Sequence, residues 1–219
     1  MVNDMANERS AGERALIIAA NRLPLSRADD GTWTTSPGGL VRALLPTVQE
    51  TKGSWVGWTG ERDGPTEVVH ADGIDLHPVS ISSQEVDRYY EGFSNGTLWP
   101  LYHDAIRESS YRSDEWDAYV DVNQRFAVRI ANVAPQNAAV WIHDYHLQLV
   151  PAVLRELRAD VRIGWFNHIP FPPLELFERL PWRDEIMRGL LGADVIGFQR
   201  RHGATNFVAA AHHLLGAAE

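Results

Sequence analysis

Short, continuous apolar runs separated by longer amphipathic stretches recur from Ala15 to the end of the chain, and this alternation narrows the fold more than any other feature. Ala15–Ala20 (ALIIAA) is apolar throughout rather than at every second residue, and Ser54–Trp58 (SWVGW), Ala139–His143 (AVWIH), Val161–Phe166 (VRIGWF) and Val195–Phe198 are further short, mostly apolar runs. That is the pattern of strands covered on both faces, as in a parallel sheet. Ile74–Ile81 is a weaker strand candidate. Between the runs, Gly38–Glu50, a segment from Ser82, a segment after Ser113, Leu147–Arg158, Leu174–Arg179 and a last stretch carrying Phe207, Ala211 and Leu214 have helical spacing. Ser82 with Glu85 three residues on is a capping box. Trp116, Tyr119, Val120, Phe126 and Ile130 mark the buried face of the helix after Ser113. The expectation is an α/β fold, a Rossmann-like parallel sheet flanked by helices.

Residues 1–14 are polar with charges of both signs and read as a flexible leader, with Met5 as an alternative start. The domain then spans 15–219. The first apolar run is six residues long and ends in Asn21-Arg22, too short for a signal-peptide core or a membrane span. The formal net charge of −9 argues against a broad nucleic-acid or anionic-membrane surface, but permits one local basic pocket. With no cysteine, disulfides, thiolate metal sites and thiol nucleophiles are excluded. Such a composition fits a reducing cytoplasm.

Ligands of open α/β sheets bind beyond the carboxyl ends of the strands. Three runs end there in polar residues: the first in Asn21-Arg22, the fourth in His143-Asp144-Tyr145-His146, the fifth in Asn167-His168. If those strands are parallel neighbours, Arg22, Asp144 and His168 share one crevice. Arg22 offers a planar, permanently charged fork suited to phosphate. Asp144 suits sugar hydroxyls as an acceptor, and His168 can donate or accept near neutrality. Each has a plainer reading: a surface arginine, a helix N-cap, and a histidine held by the rigid Pro170-Phe171-Pro172-Pro173 turn.

Ser36-Pro37-Gly38-Gly39-Leu40 places two glycines at a helix start, where an anion can approach free backbone N–H groups. The plainer reading is a tight turn. No Gly-Lys-Ser/Thr follows, so it is not a Walker A loop, and no G-x-S-x-G elbow occurs. His143 and His146 should diverge on a strand-to-helix turn, so no metal site is expected. Trp58, Tyr90, Trp99 and Tyr102 are either core aromatics or platforms for sugar faces.

Six blocks together carry a resemblance: Asn21-Arg22-Leu23-Pro24, Ser36 to Leu40, Trp55-Val56-Gly57-Trp58, Tyr89 to Asn95 with Leu98-Trp99-Pro100, Ile142 to Leu147, and His168 to Pro172. In order and spacing the chain resembles the trehalose-6-phosphate synthases, from about Ala15 onward. The resemblance implies the N-terminal domain of a two-domain GT-B glycosyltransferase, its second domain absent. Such enzymes transfer glucose, with retention, from a nucleotide sugar to glucose 6-phosphate. It implies that Arg22 grips the acceptor phosphate, with Trp58, Tyr90 and Trp99 around it and Asp144 on the acceptor hydroxyls. Gly38, Gly39 and His168 would contact the donor, UDP-glucose being the donor expected. Asp144 and His168 are the catalytic candidates, with no cofactor and no metal. The partners implied are small molecules and the second domain, with neither nucleic acid nor membrane, and a homo-oligomer is compatible with the sequence. Two alternatives stay open: a glucosylglycerol-phosphate synthase-like transferase, and a non-catalytic module that senses sugar phosphates.

Overall fold

The computed structural model describes residues 15–27, 32–36, 38–105 and 109–216. The expected leader and Pro37 lie outside the described residues. Along the chain, β1 (Leu16–Arg22) is followed by a hairpin of β2 (Leu25–Arg27) and β3 (Trp33–Thr35), then by α1 (Gly39–Glu50) and β4 (Ser54–Trp58). Next, β5 (Val69–Ala71) and β6 (Ile74–Pro78) lead into α2 (Ser83–Glu85), which continues as a π-helix over Val86–Leu98 and ends in α3 (Trp99–Tyr102). The long α4 (Ser113–Val133) precedes β7 (Ala139–His143), a 3₁₀ turn at Tyr145–Leu147, α5 (Val150–Leu157) and β8 (Arg162–Asn167). Last come α6 (Leu174–Phe177), α7 (Arg183–Leu190), β9 (Val195–Phe198) and α8 (Arg201–Leu215).

Seven strands form one sheet in the order β5-β6-β4-β1-β7-β8-β9, parallel except for the β5–β6 edge pair. The continuous apolar runs are explained by two core clusters, one on each face. Ile17 and Ala19 of β1 join the larger cluster, with Phe126 and Ile130 of α4 and Leu154 of α5. Ile18 and Ala20 join the smaller, with Leu44 and Val48 of α1 and Trp55 of β4. Successive side chains of a strand point to opposite faces, so both parities must be apolar. Trp55 and Phe126 are fully buried. Each such burial stabilises the fold by about 1.5–3 kcal/mol.

Four expectations need correction. The weak strand ends at Pro78, not Ile81; one more ladder bond follows, Val79 N–H to the Gly57 carbonyl at 2.9 Å, and Ile81 instead bridges Arg62. The helix expected over Leu147–Arg158 starts at Val150, after the separate turn at Tyr145–Leu147. The helix from Ser82 keeps its capping box, yet is wound mostly as π-helix. The stretch Leu174–Arg179 is helical only to Phe177. Among the described residues, no helix is long and apolar enough to cross a membrane.

Candidate active site

The carboxyl ends of β1, β7 and β8 lie side by side, because β1 pairs with β7 and β7 with β8, all parallel. Arg22, the last residue of β1, is paired with Trp58 of β4 after a break in register beyond Ala19. Its guanidinium lies over the Trp58 ring, Cζ 4.8 Å from the centroid. Nη2 donates to the Thr59 carbonyl at 3.5 Å. The arginine is otherwise exposed, and among the described residues its remaining donors have no hydrogen-bond partner.

A cavity of about 420 Å³ opens here, lined by Arg22, Gly38, Tyr90, Asp144 and His146 among others. Two rings of its lining, Tyr90 and His146, are held by further aromatic contacts. Tyr90 meets Trp58 edge-on at 5.6 Å and stacks on His146 at 5.8 Å; Tyr145 backs His146 at 4.0 Å. Tyr89, the neighbour of Tyr90, is buried and donates to Asn21 Oδ1 at 2.9 Å, which fixes the strand end below. An apolar wall with a few converging polar groups is the usual make-up of a small-molecule site.

Asp144 stands at the N-cap position of the 3₁₀ turn, but its carboxylate does not cap it. Its side chain makes no capping hydrogen bond, and its backbone has φ 74° and ψ 169°, a region favoured by glycine. Its Oδ1 instead accepts the backbone N–H of His168 at 3.3 Å. The β7 and β8 ends are thereby tied together. His168 itself lines a second, neighbouring cavity of about 540 Å³, with the Pro-rich turn and Arg200. Asp144 thus faces the first cavity while its carboxylate braces the residue that lines the second.

Two further histidines sit between these groups. His143 Nδ1 and His168 Nε2 are 3.1 Å apart, so one ring donates and the other accepts. Burial, helped by the neighbouring His168, pushes His143 down to about 3. Burial pushes His146 down to about 4, against the opposing pull of Asp144. His168 is also lowered, chiefly by burial. All three are neutral at pH 7. Among the described residues, both ring nitrogens of His146 and Nε2 of His143 are buried without a partner, which costs stability. No group of three or more histidines and acids among the described residues could hold a metal.

Residues 14–219 match the model of glycosyltransferase family 20. The chain belongs to that family. It is 52% identical to trehalose-6-phosphate synthase of Mycolicibacterium smegmatis over 221 residues, covering 99% of this chain and 44% of that protein. The α,α-trehalose-phosphate synthase (UDP-forming) of Burkholderia vietnamiensis superposes with a TM-score of 0.83 at 30% identity, over 93% of this chain and 44% of that one. The Burkholderia xenovorans enzyme in complex with glucose-6-phosphate gives 0.77 at 30% identity, over 88% and 42%. The chain therefore spans less than half the length of these relatives.

In this family-20 chain the cavity brings together Arg22, Gly38, Tyr90 and Asp144, with Trp58 beneath the arginine. It does not bring in Trp99, which is 43% exposed and stacks on His103. Gly39 opens α1 beside the cavity, and a Cβ at that position would meet nothing within 4 Å. Tyr102 belongs to the core, donating to Gln148 Oε1 at 2.7 Å. Sequence reasoning weighed His146 only as a metal ligand, and missed its place in the wall. The signal was there: a histidine two residues beyond Asp144, at the same strand end.

Proposed function

We propose that this chain is the acceptor-binding half of a retaining glucosyltransferase that makes trehalose 6-phosphate from a nucleotide sugar, UDP-glucose, and glucose 6-phosphate. The observation that carries the reading is the seat of Arg22: a guanidinium laid on an indole at the mouth of an aromatic-walled cavity, with Asp144 in the same lining. A phosphate can be forked by the arginine while the sugar ring lies along Tyr90 and His146 and its hydroxyls meet the Asp144 carboxylate. Similarity to an enzyme described as UDP-forming and to one in complex with glucose-6-phosphate supports both substrates.

On this reading residues 15–219 are the acceptor domain, and His168 with Gly38 and Gly39 faces the donor. The second half of the enzyme closes over the donor. Catalysis rests on positioning and charge stabilisation, with the donor's leaving phosphate taking the acceptor proton on the same face. Neither a protein nucleophile nor a metal is invoked, so turnover should survive EDTA. The test is to assay the full-length enzyme carrying this half with UDP-glucose and either glucose 6-phosphate or glycerol 3-phosphate. Formation of an α,α-linked disaccharide phosphate from the first is expected. Transfer to glycerol 3-phosphate alone would reassign the acceptor, and transfer to neither would leave a sensing module.

A further inference from the structure

Beyond the strand end that holds Trp58, the chain turns at Thr59-Gly60, and Gly60 has φ +94°. A Cβ built on Gly60 would run into Nη1, Nη2 and Cζ of Arg22. The same three-residue turn therefore touches the guanidinium three times: by the Trp58 ring, by the Thr59 carbonyl, and by the bare Cα of Gly60. The contrast with Gly73 is informative. Gly73 also has positive φ, +77°, but a Cβ there meets nothing within 4 Å. Gly73 answers to backbone conformation alone, whereas Gly60 answers to conformation and to the space Arg22 occupies.

We infer that Gly60 is a positioning residue for phosphate recognition: its missing side chain is the slot that holds the Arg22 fork against Trp58, facing the cavity. The inference rests on the reading of Arg22 as the phosphate anchor. Because the group a Cβ would meet is the far end of a flexible side chain, substitution should displace the arginine rather than the backbone. An arginine swung off the indole loses its preorganised fork, and a bidentate phosphate contact depends on that geometry.

The experiment compares Gly60→Ala, Gly73→Ala, Arg22→Ala and the double variant Arg22→Ala/Gly60→Ala in the full-length enzyme. The half-saturating concentrations of glucose 6-phosphate and of the nucleotide sugar, kcat and the melting temperature are measured for each. Gly60→Ala is expected to raise the glucose 6-phosphate value by about tenfold, the size of effect that losing one well-made charged contact gives. The donor value and kcat should stay within about twofold, since neither depends on the acceptor phosphate once it is saturating. Gly73→Ala should leave both substrates unaffected while losing similar stability from its own φ. In the Arg22→Ala background, Gly60→Ala should change acceptor binding no further, because the partner of the interaction is gone.

If Arg22→Ala leaves the acceptor dependence unchanged, the phosphate-anchor reading fails and this inference with it. If Arg22→Ala raises it and Gly60→Ala does not, only the inference fails. Should Gly60→Ala not fold, the double variant decides. Recovery of folding when Arg22 is removed places the clash where the inference puts it, and failure to fold with either residue at position 22 overturns it.

Discussion

Asp144 reaches across from the end of β7 to the backbone of His168 at the end of β8, Oδ1 to N 3.3 Å, while its own backbone stands at φ 74°. A non-glycine residue held there costs about 1–3 kcal/mol, which the rest of the fold must offset. The carboxylate is thus aimed by strain, between the cavity that holds Arg22 and the one lined by His168.

This relationship makes three substitutions at Asp144 distinguishable. Asp144→Ala keeps the strained φ and loses the hydrogen bond, so it should melt lowest. Asp144→Gly relaxes the strain and should be more stable than Asp144→Ala by about 1–3 kcal/mol, less the roughly 0.5–1 kcal/mol that glycine costs in the unfolded chain. Asp144→Asn should melt close to wild type. On the proposed function, all three should reduce turnover of the full-length enzyme by about 10²-fold or more, the order of a lost positioning contact. Thermal melts paired with initial rates at saturating substrates check this. Preserved rates would remove Asp144 from the chemistry.

On the proposed function, Arg22 should matter for the acceptor and little else. Charge-assisted phosphate contacts contribute about 1.5–3 kcal/mol, so Arg22→Ala should raise the half-saturating glucose 6-phosphate concentration by roughly one to two orders of magnitude. Arg22→Lys should recover only part of this, because an ammonium is a point charge and neither forks nor stacks on Trp58 as a guanidinium does. The check is a titration of each substrate at saturating partner. Full recovery by lysine would mean that charge alone is recognised and that the indole seat is incidental.

Much of this architecture was legible because parallel strands must be apolar on both sides. The runs at Ala15–Ala20, Ala139–His143 and Val161–Phe166 are strands, and the polar residues that end them meet at the carboxyl end of the sheet. The edge strand β5 was missed because Val69–Ala71 alternates with the polar His70 and is only three residues long. Its hairpin was nevertheless announced by Asp72-Gly73, both at positive φ, the pair that favours a tight two-residue turn. The π-helical winding of Val86–Leu98 left no periodic mark in the sequence. The slot at Gly60 was invisible for another reason, since it depends on where Arg22 lies in three dimensions. Burial of His143 and His146 could not be read locally either, because histidine is intermediate in burial, found both inside and at the surface.

The 219-residue chain should fold by itself and melt cooperatively, since both core clusters are built from its own residues. It should nevertheless show no measurable transfer of glucose, because on the proposed reading half a cleft can neither hold the leaving diphosphate nor exclude water. Circular dichroism melts and a sensitive assay for trehalose 6-phosphate test the two statements separately. Robust turnover by the chain alone would place the donor site within residues 15–219.

Acid should unfold the chain earlier than its carboxylates alone require, and His143 and His146 give the reason. An unfolded histidine takes up a proton near pH 6.5, whereas burial holds these two at about 3 and about 4 in the fold. Between those limits the unfolded state binds more protons than the native one, so stability rises with pH. The contribution is complete above pH 6.5 and is lost progressively as pH falls toward 4 and then 3. Each histidine contributes about 1.4 kcal/mol per pH unit across its window, so by about pH 5 the pair together has cost about 4 kcal/mol. That is a large part of the roughly 5–15 kcal/mol typical of a domain. His168, lowered in the same direction, adds to the effect. His146→Phe tests the argument cleanly, because both ring nitrogens of His146 lack partners and its ring only stacks on Tyr90 and Tyr145. The variant should hold its melting temperature better than wild type between about pH 6.5 and pH 4.5, and should take up about one proton fewer on unfolding at pH 5. Denaturant unfolding across that range, analysed for proton uptake, measures both. Parallel losses in wild type and variant would mean that His146 is solvated in the folded protein, and that the wall of the cavity is open to water where the structure closes it.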